Sequence, residues 1–182
     1  MRRRRFLDVT IGTLLLGWLI VAADAPGAQT DLSGVVQNPG KALSAEQRFA
    51  ILPAFNGDAV LDHETGLVWE KSPQTTTARW SAARRMCVEK SVGGQKGWRL
   101  PSLSELRSLV DPSIPPPGPT LLPGHPFRTV QSAVYWSETR VGDNPSGAWA
   151  VHFGLGGGSV FINWAHAVQV WCVHGGKNAE EH

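Results

Sequence analysis

The 182 residues carry 17 Lys and Arg against 15 Asp and Glu, a formal charge of +2, with two Cys and eight Trp. That length fits one domain once terminal segments are set aside. Four Arg stand at positions 2–5; residues 26–182 hold 13 basic and 13 acidic residues, which leaves no support for nucleic-acid binding through a bulk basic surface or for a polybasic membrane patch.

Arg2, Arg3, Arg4 and Arg5 form a positive n-region, and Val9 to Ala23 is an apolar run holding Leu14, Leu15, Leu16, Leu19 and Ile20. The run falls short of the roughly 20 residues that a bilayer span needs. Small residues at Ala22, Ala23 and Ala25 offer a cleavage site after Ala23 or Ala25, and Pro26 favours the former. A signal peptide over 1–25 is predicted, with no membrane span after cleavage. Arg3-Arg4-Arg5-Phe6-Leu7 fits the twin-arginine pattern, and an ordinary Sec signal tolerates the same start. No Cys lies near the cleavage region, which argues against a lipoprotein anchor. The protein is expected in the periplasm or outside the cell.

Residues 26–44 read as a flexible linker, because Gln29 to Lys41 is polar, Gly-bearing and without periodicity. A weak helical turn is expected over Ser44 to Phe49. Val60-Leu61-Asp62, His63-Glu64-Thr65-Gly66 and Leu67-Val68-Trp69-Glu70 read as strand, turn and strand, with Gly66 supplying a positive φ. Asp62 is expected to accept backbone N–H groups across that turn, and Trp69 to be buried. Ala78 to Lys90 is predicted helical, capped by Thr76 or Thr77 and ended by Gly93-Gly94, with Trp80, Ala83 and Cys87 on one face. Ser102 and Glu105 form a capping box for a second helix whose stripe is Leu103, Leu106 and Leu109 or Val110.

Pro112 to Pro126 carries seven prolines and is neither regular helix nor interior strand; it reads as a long, stiff surface loop. Four short strands are predicted beyond it: Val134 to Thr139, Ala148 to Phe153, Val160 to Trp164 and Val168 to Val173. In the second, Trp149, Val151 and Phe153 alternate with Ala150 and His152, as a half-buried strand should. A structured domain over 45–176 and a disordered tail over 177–182 complete the organisation. An exported chain favours pairing Cys87 with Cys172 over leaving two buried thiols, and the closed loop of about 85 residues would contribute roughly 4–5 kcal/mol.

Several blocks recur in a known order: Val60-Leu61-Asp62 with Thr65-Gly66-Leu67 and Trp69-Glu70; Trp80, Ala82-Ala83 and Cys87; Gly97-Trp98-Arg99-Leu100-Pro101 with Glu105-Leu106; Tyr135-Trp136-Ser137; Ala148-Trp149, Val151 and Phe153; and Cys172-Val173 before Gly175-Gly176. From Phe49 to Gly176 the chain resembles the Lcl C-terminal domain family of exported bacterial proteins. The resemblance implies an α+β, C-type-lectin-like fold: two helices flanking a small twisted antiparallel sheet, with one long-range disulfide from the first helix to the last strand. Cys87 and Cys172 occupy those positions. The family usually carries Arg before the last Cys, a basic residue in the preceding hairpin and Arg after the Cys. Trp171, the Asn163-Trp164-Ala165 stretch and His174 stand there instead, so the resemblance does not extend to anionic-ligand binding through those basic residues.

No catalytic set emerges. Both Cys are committed to a bridge, no Ser/His/Asp order or nucleophile elbow appears, and the six His lack tight metal-ligand spacing, although His152 and His166 could approach across strands. The loop at Gly142-Asp143-Asn144-Pro145 is too poor in oxygen ligands for a calcium lectin site. The expectation is an exported, non-catalytic recognition module without metal or cofactor, binding an envelope or extracellular glycan or protein. The alternative is a structural envelope domain or subunit; an enzyme of the formylglycine-generating-enzyme-like fold ranks third. The expected ligand-binding residues are Trp164 and Trp171, taken as the exposed tryptophans, with Arg99, Asp143, Asn144 and the Pro-rich loop.

Overall fold

A computed structural model describes residues 43–142 and 146–176. The expected signal peptide, the linker up to residue 42, Asp143, Asn144 and the expected tail lie outside them. The elements are α1 (Ala45–Arg48), β1 (Phe49–Ile51), β2 (Ala59–Asp62), β3 (Leu67–Glu70), β4 (Gln74–Arg79), α2 (Trp80–Glu89), β5 (Trp98–Arg99), α3 (Leu103–Ser108), β6 (Val134–Arg140), β7 (Gly147–His152), β8 (Gly158–Asn163), β9 (Ala167–Val170) and β10 (Val173–His174). No helix among the described residues is long and apolar enough to cross a membrane.

Where local chemistry was explicit, the elements follow it. Both short helices α1 and α3 open on reciprocal capping boxes, Ser44 with Gln47 and Ser102 with Glu105. The β2–β3 hairpin turns on Asp62, which accepts from the Glu64 N–H and the Thr65 hydroxyl at 3.0 Å each, and Gly66 adopts φ +70°. Helix α2 departs from expectation at both ends. Thr76 and Thr77 lie in β4 rather than at a cap, because Ala78 and Arg79 pair with Val168 and Ala167 of β9. Tertiary pairing outweighs the local cap preference. The helix ends at Glu89, before Gly93-Gly94. Its predicted buried face holds: Trp80, Ala83 and Cys87 are all buried.

The expected single small antiparallel sheet is replaced by two five-stranded sheets, in the orders β1-β2-β3-β10-β5 and β4-β9-β6-β7-β8. The β6–β9 contact is parallel, through Tyr135 and Gln169. The expected strand Val168 to Val173 is two strands, β9 in one sheet and β10 in the other, with Trp171 and Cys172 making the crossing.

Two apolar clusters result. One joins Phe49, Trp69, Leu106, Leu109, Tyr135, Val151, Phe153 and Trp171; the other joins Trp80, Ala83, Cys87, Trp98, Leu100, Trp136, Ala148, Ala150 and Cys172. Strand β7 lies between them, so it is not half-buried: Ala148 and Ala150 are as buried as Val151, and Trp149 and His152 are the partly exposed residues. The small residues face the cluster that contains α2, which leaves little room for larger side chains.

The Pro-rich segment lies on the surface, with Pro112, Pro115, Pro116, Pro117 and Pro123 exposed, and is anchored inward at Thr120 and Leu121. Thr120 donates from its N–H and its hydroxyl to the Phe153 carbonyl, at 2.8 and 2.9 Å, and Leu121 bridges Val110 and enters the first cluster. Cys87 and Cys172 are joined as a disulfide across 85 positions, with Cα atoms 5.5 Å apart. A second tether runs parallel to it: Lys90, at the end of α2, holds Glu70 of β3 at 2.6 Å.

Candidate functional site: a tryptophan stack under two arginines

Trp80 opens α2 and donates from Nε1 to the Ser137 carbonyl at 2.9 Å, which fixes its ring at the rim of the second cluster. Trp164 leaves the end of β8 in a tight turn. Its own N–H reaches the Ser146 carbonyl at 2.9 Å, and the Asn163 side chain accepts from the Ala165 N–H at 2.9 Å. That turn lays the Trp164 ring flat on Trp80, with centroids 5.0 Å apart and planes 13° apart.

Two guanidiniums converge on this stack. Arg84, one helical turn beyond Trp80, lies 4.9 Å from the Trp80 centroid. Arg140, at the end of β6, lies 5.5 Å from Trp80 and 5.9 Å from Trp164. Both arginines are exposed, and among the described residues neither forms an ion pair. Each cation–π contact at an exposed site contributes about 0.5–1 kcal/mol. Two like charges drawn to one aromatic surface raise the local positive potential, and an anion seated between them would relieve it. Among the described residues, the buried Trp164 indole Nε1 meets no acceptor.

Of the residues expected from sequence to bind ligand, Trp164, Trp171 and Arg99 are described, and each has a different setting. Trp171 is 0 % exposed and donates from Nε1 to the Glu70 carbonyl at 2.7 Å; Trp69, Phe127, Tyr135 and Phe153 surround its ring. It occupies the crossing between the sheets, where both sides are interior, so the expected exposure is wrong. Trp164 sits in the other cluster, half-exposed. Asp143 and Asn144 lie outside the described residues.

The guanidinium fork of Arg99 is filled by its own chain. It makes a bidentate pair with Glu105 at 2.8 and 2.7 Å and donates to the Gly175 carbonyl at 2.6 Å. Burial by itself would raise the Glu105 carboxyl, but hydrogen bonds from Arg99 and the Ser102 N–H, with the Arg99 charge, outweigh it and hold the group below its usual value. A lowered acid binds protons less tightly when folded, so its contribution to stability is present above the ordinary value of 4.5 and is lost as pH falls through the lowered one. Glu105→Gln is therefore expected to lower Tm at neutral pH and to flatten its fall below pH 4.5. Melting curves from pH 7 to 3 check this; parallel falls in variant and parent would refute it. A depression of about 310 Å³ beside the pair is lined by Thr65, Leu67, Ser104, Glu105, Ser108 and Gly176, and its carboxylate is already committed to Arg99.

His152 and His166 form no cluster. Nδ1 of His152 accepts from the Gly154 N–H at 3.1 Å, and no group of three His, Cys, Asp or Glu among the described residues is placed to hold a metal. Sequence reading placed Trp80 only in the core and missed Arg84 and Arg140. The spacing of Arg84 four residues after Trp80 was the available signal; Arg140 gave none, since it reaches the stack from another sheet strand.

Compared with known proteins, residues 58–174 match the family model of the Lcl C-terminal domain. No curated protein matches the chain.

Proposed function

We propose that this chain, which belongs to the Lcl C-terminal domain family, is an exported, non-catalytic recognition module of C-type-lectin-like fold that binds an anionic glycan or protein group in the envelope or outside the cell. The signal-peptide pattern at residues 1–25 and the oxidised Cys87–Cys172 pair support export. The convergence of Arg84 and Arg140 on the Trp80–Trp164 stack carries the binding reading. A stacked indole pair offers a flat platform for a sugar ring or side chain, and the two guanidiniums offer planar donors to a carboxylate or sulfate. The role first assigned to Trp164 and Trp171 together passes to Trp164 with Trp80, Arg84 and Arg140.

The test is capture of sulfated, carboxylated and neutral oligosaccharides, and of envelope proteins, by the parent and two variants. Arg84→Gln with Arg140→Gln removes both charges and is expected to weaken anionic binding by about a hundredfold, the loss of two charge-assisted hydrogen-bonding groups. Trp164→Ala is expected to weaken it by about tenfold. Binding should also decline as salt rises, since both arginines are exposed. Capture that survives the double substitution, in a variant with unchanged near-UV circular dichroism, would exclude this surface.

A further inference from the structure

The four outer strands of the two sheets differ in how they are protected. β1 has three residues and runs toward Pro53, and β5 has two. β4 carries Arg79 and a register irregularity between Gln74 and Ala78. Short length, charge, proline and bulges are the usual devices that stop an edge strand from pairing with another chain. β8 has none of them. It runs six residues, Gly158-Ser159-Val160-Phe161-Ile162-Asn163, without charge or proline, in unbroken register with β7.

The direction of its backbone groups follows from the register. Trp164 donates its N–H to the Ser146 carbonyl, so Trp164 and Ser146 are a hydrogen-bonded pair; Ile162–Ala148 and Val160–Ala150 continue that phase. The intervening Ser159, Phe161 and Asn163 therefore turn their N–H groups away from β7. Among the described residues β8 pairs with β7 alone. Phe161 is 44 % exposed on this strand, and its ring lies over Gly147, where a β-carbon would collide with it.

We infer that β8 pairs antiparallel with β8 of a second copy of this chain, about a two-fold axis at Phe161, making one ten-stranded sheet across the dimer. The strand is self-complementary about that residue. Phe161 meets its symmetry mate on the face shared with Trp149, and Ser159 meets Asn163 on the same face. Val160 meets Ile162 on the other, and no like charges oppose one another.

Sedimentation velocity of the purified oxidised protein is expected to show a dimer. Phe161→Lys places two ammonium groups at the axis and is expected to raise the dissociation constant by about a hundredfold or more. Ser159→Pro removes an outward N–H while leaving every β7 bond intact, and is expected to act in the same direction. Phe161→Cys is expected to cross-link to itself in aerated buffer, the two thiols giving two electrons and two protons to dissolved oxygen, because a hydrogen-bonded antiparallel pair holds Cα atoms about 5.5 Å apart, within disulfide reach. A monomer at all concentrations overturns the inference. So does a dimer that both Phe161→Lys and Ser159→Pro leave undiminished, or an edge occupied only by a foreign extended peptide. None of these results touches the Arg84–Arg140 surface, whose test reads capture rather than mass.

Discussion

Replacing both Cys87 and Cys172 by Ala is expected to cost about 4 kcal/mol and to lower Tm by roughly 10–20 °C. The bridge spans 85 positions, so most of the domain lies inside the loop it closes, and opening it returns that chain entropy to the unfolded state. In the folded state α2 remains attached, because Lys90 still holds Glu70 and Trp80 still donates to Ser137. The double variant is thus expected to keep its near-UV tryptophan signal at low temperature while unfolding at a lower denaturant midpoint. The measurement is paired urea titrations of parent and variant at neutral pH. A difference below about 1 kcal/mol would show that the loop-entropy argument fails here, and a lost near-UV signal would show that the second tether does not hold α2 in place.

Asp62→Ala is expected to cost about 3–5 kcal/mol, the range for breaking one side of a buried ion pair. Arg48 is only 7 % exposed and donates to both Asp62 oxygens, at 3.0 and 2.9 Å, and to the Ser108 carbonyl at 2.6 Å. Asp62 is fully buried and also accepts from Glu64 and Thr65 in the hairpin turn. Removing it leaves a buried guanidinium with the half-exposed Glu64 as its remaining carboxylate and frees the turn at the same time. Arg48→Met strands the Asp62 carboxylate in turn, yet that group keeps its two hairpin donors, so the cost should be smaller. The double variant should cost less than the sum of the singles, because each single leaves a buried charge that the other removes. Strictly additive costs in a double-mutant cycle would refute the coupling.

That pair shows how far sequence reading reached. The hairpin role of Asp62 was legible, because Asp and Gly four residues apart at a turn have a local mechanism. Its ion pair was not: Arg48 lies fourteen positions earlier, and only the β1–β2 register, Phe49 opposite Asp62, brings it alongside. The capping box at Ser102 and the buried stripe of α2 were equally local, and both stand. The start of α2 was misread, since threonines that suit a cap also suit a strand, and pairing with β9 decided between them.

The tryptophans divide the same way. Family comparison marked Trp164 and Trp171 as alike, both standing where basic residues are usual, and the fold sends them to different clusters. Trp171 crosses between two sheets and becomes the hub of one core; Trp164 follows an edge strand and reaches the surface.

Sequence alone determined the elements with local causes, the helix capped at Ser102, the buried stripe of α2 and the Asp62 hairpin, and it marked the cysteine pair and the family. It determined none of the properties that depend on what lies across a sheet. That both faces of β7 are buried, which tryptophan is covered, and which arginines share a ring were settled only when distant strands met. The reason is physical. Capping and turn hydrogen bonds act within about four residues of chain, whereas burial and charge pairing depend on distance through space, which here is set by two sheets that the chain enters more than once.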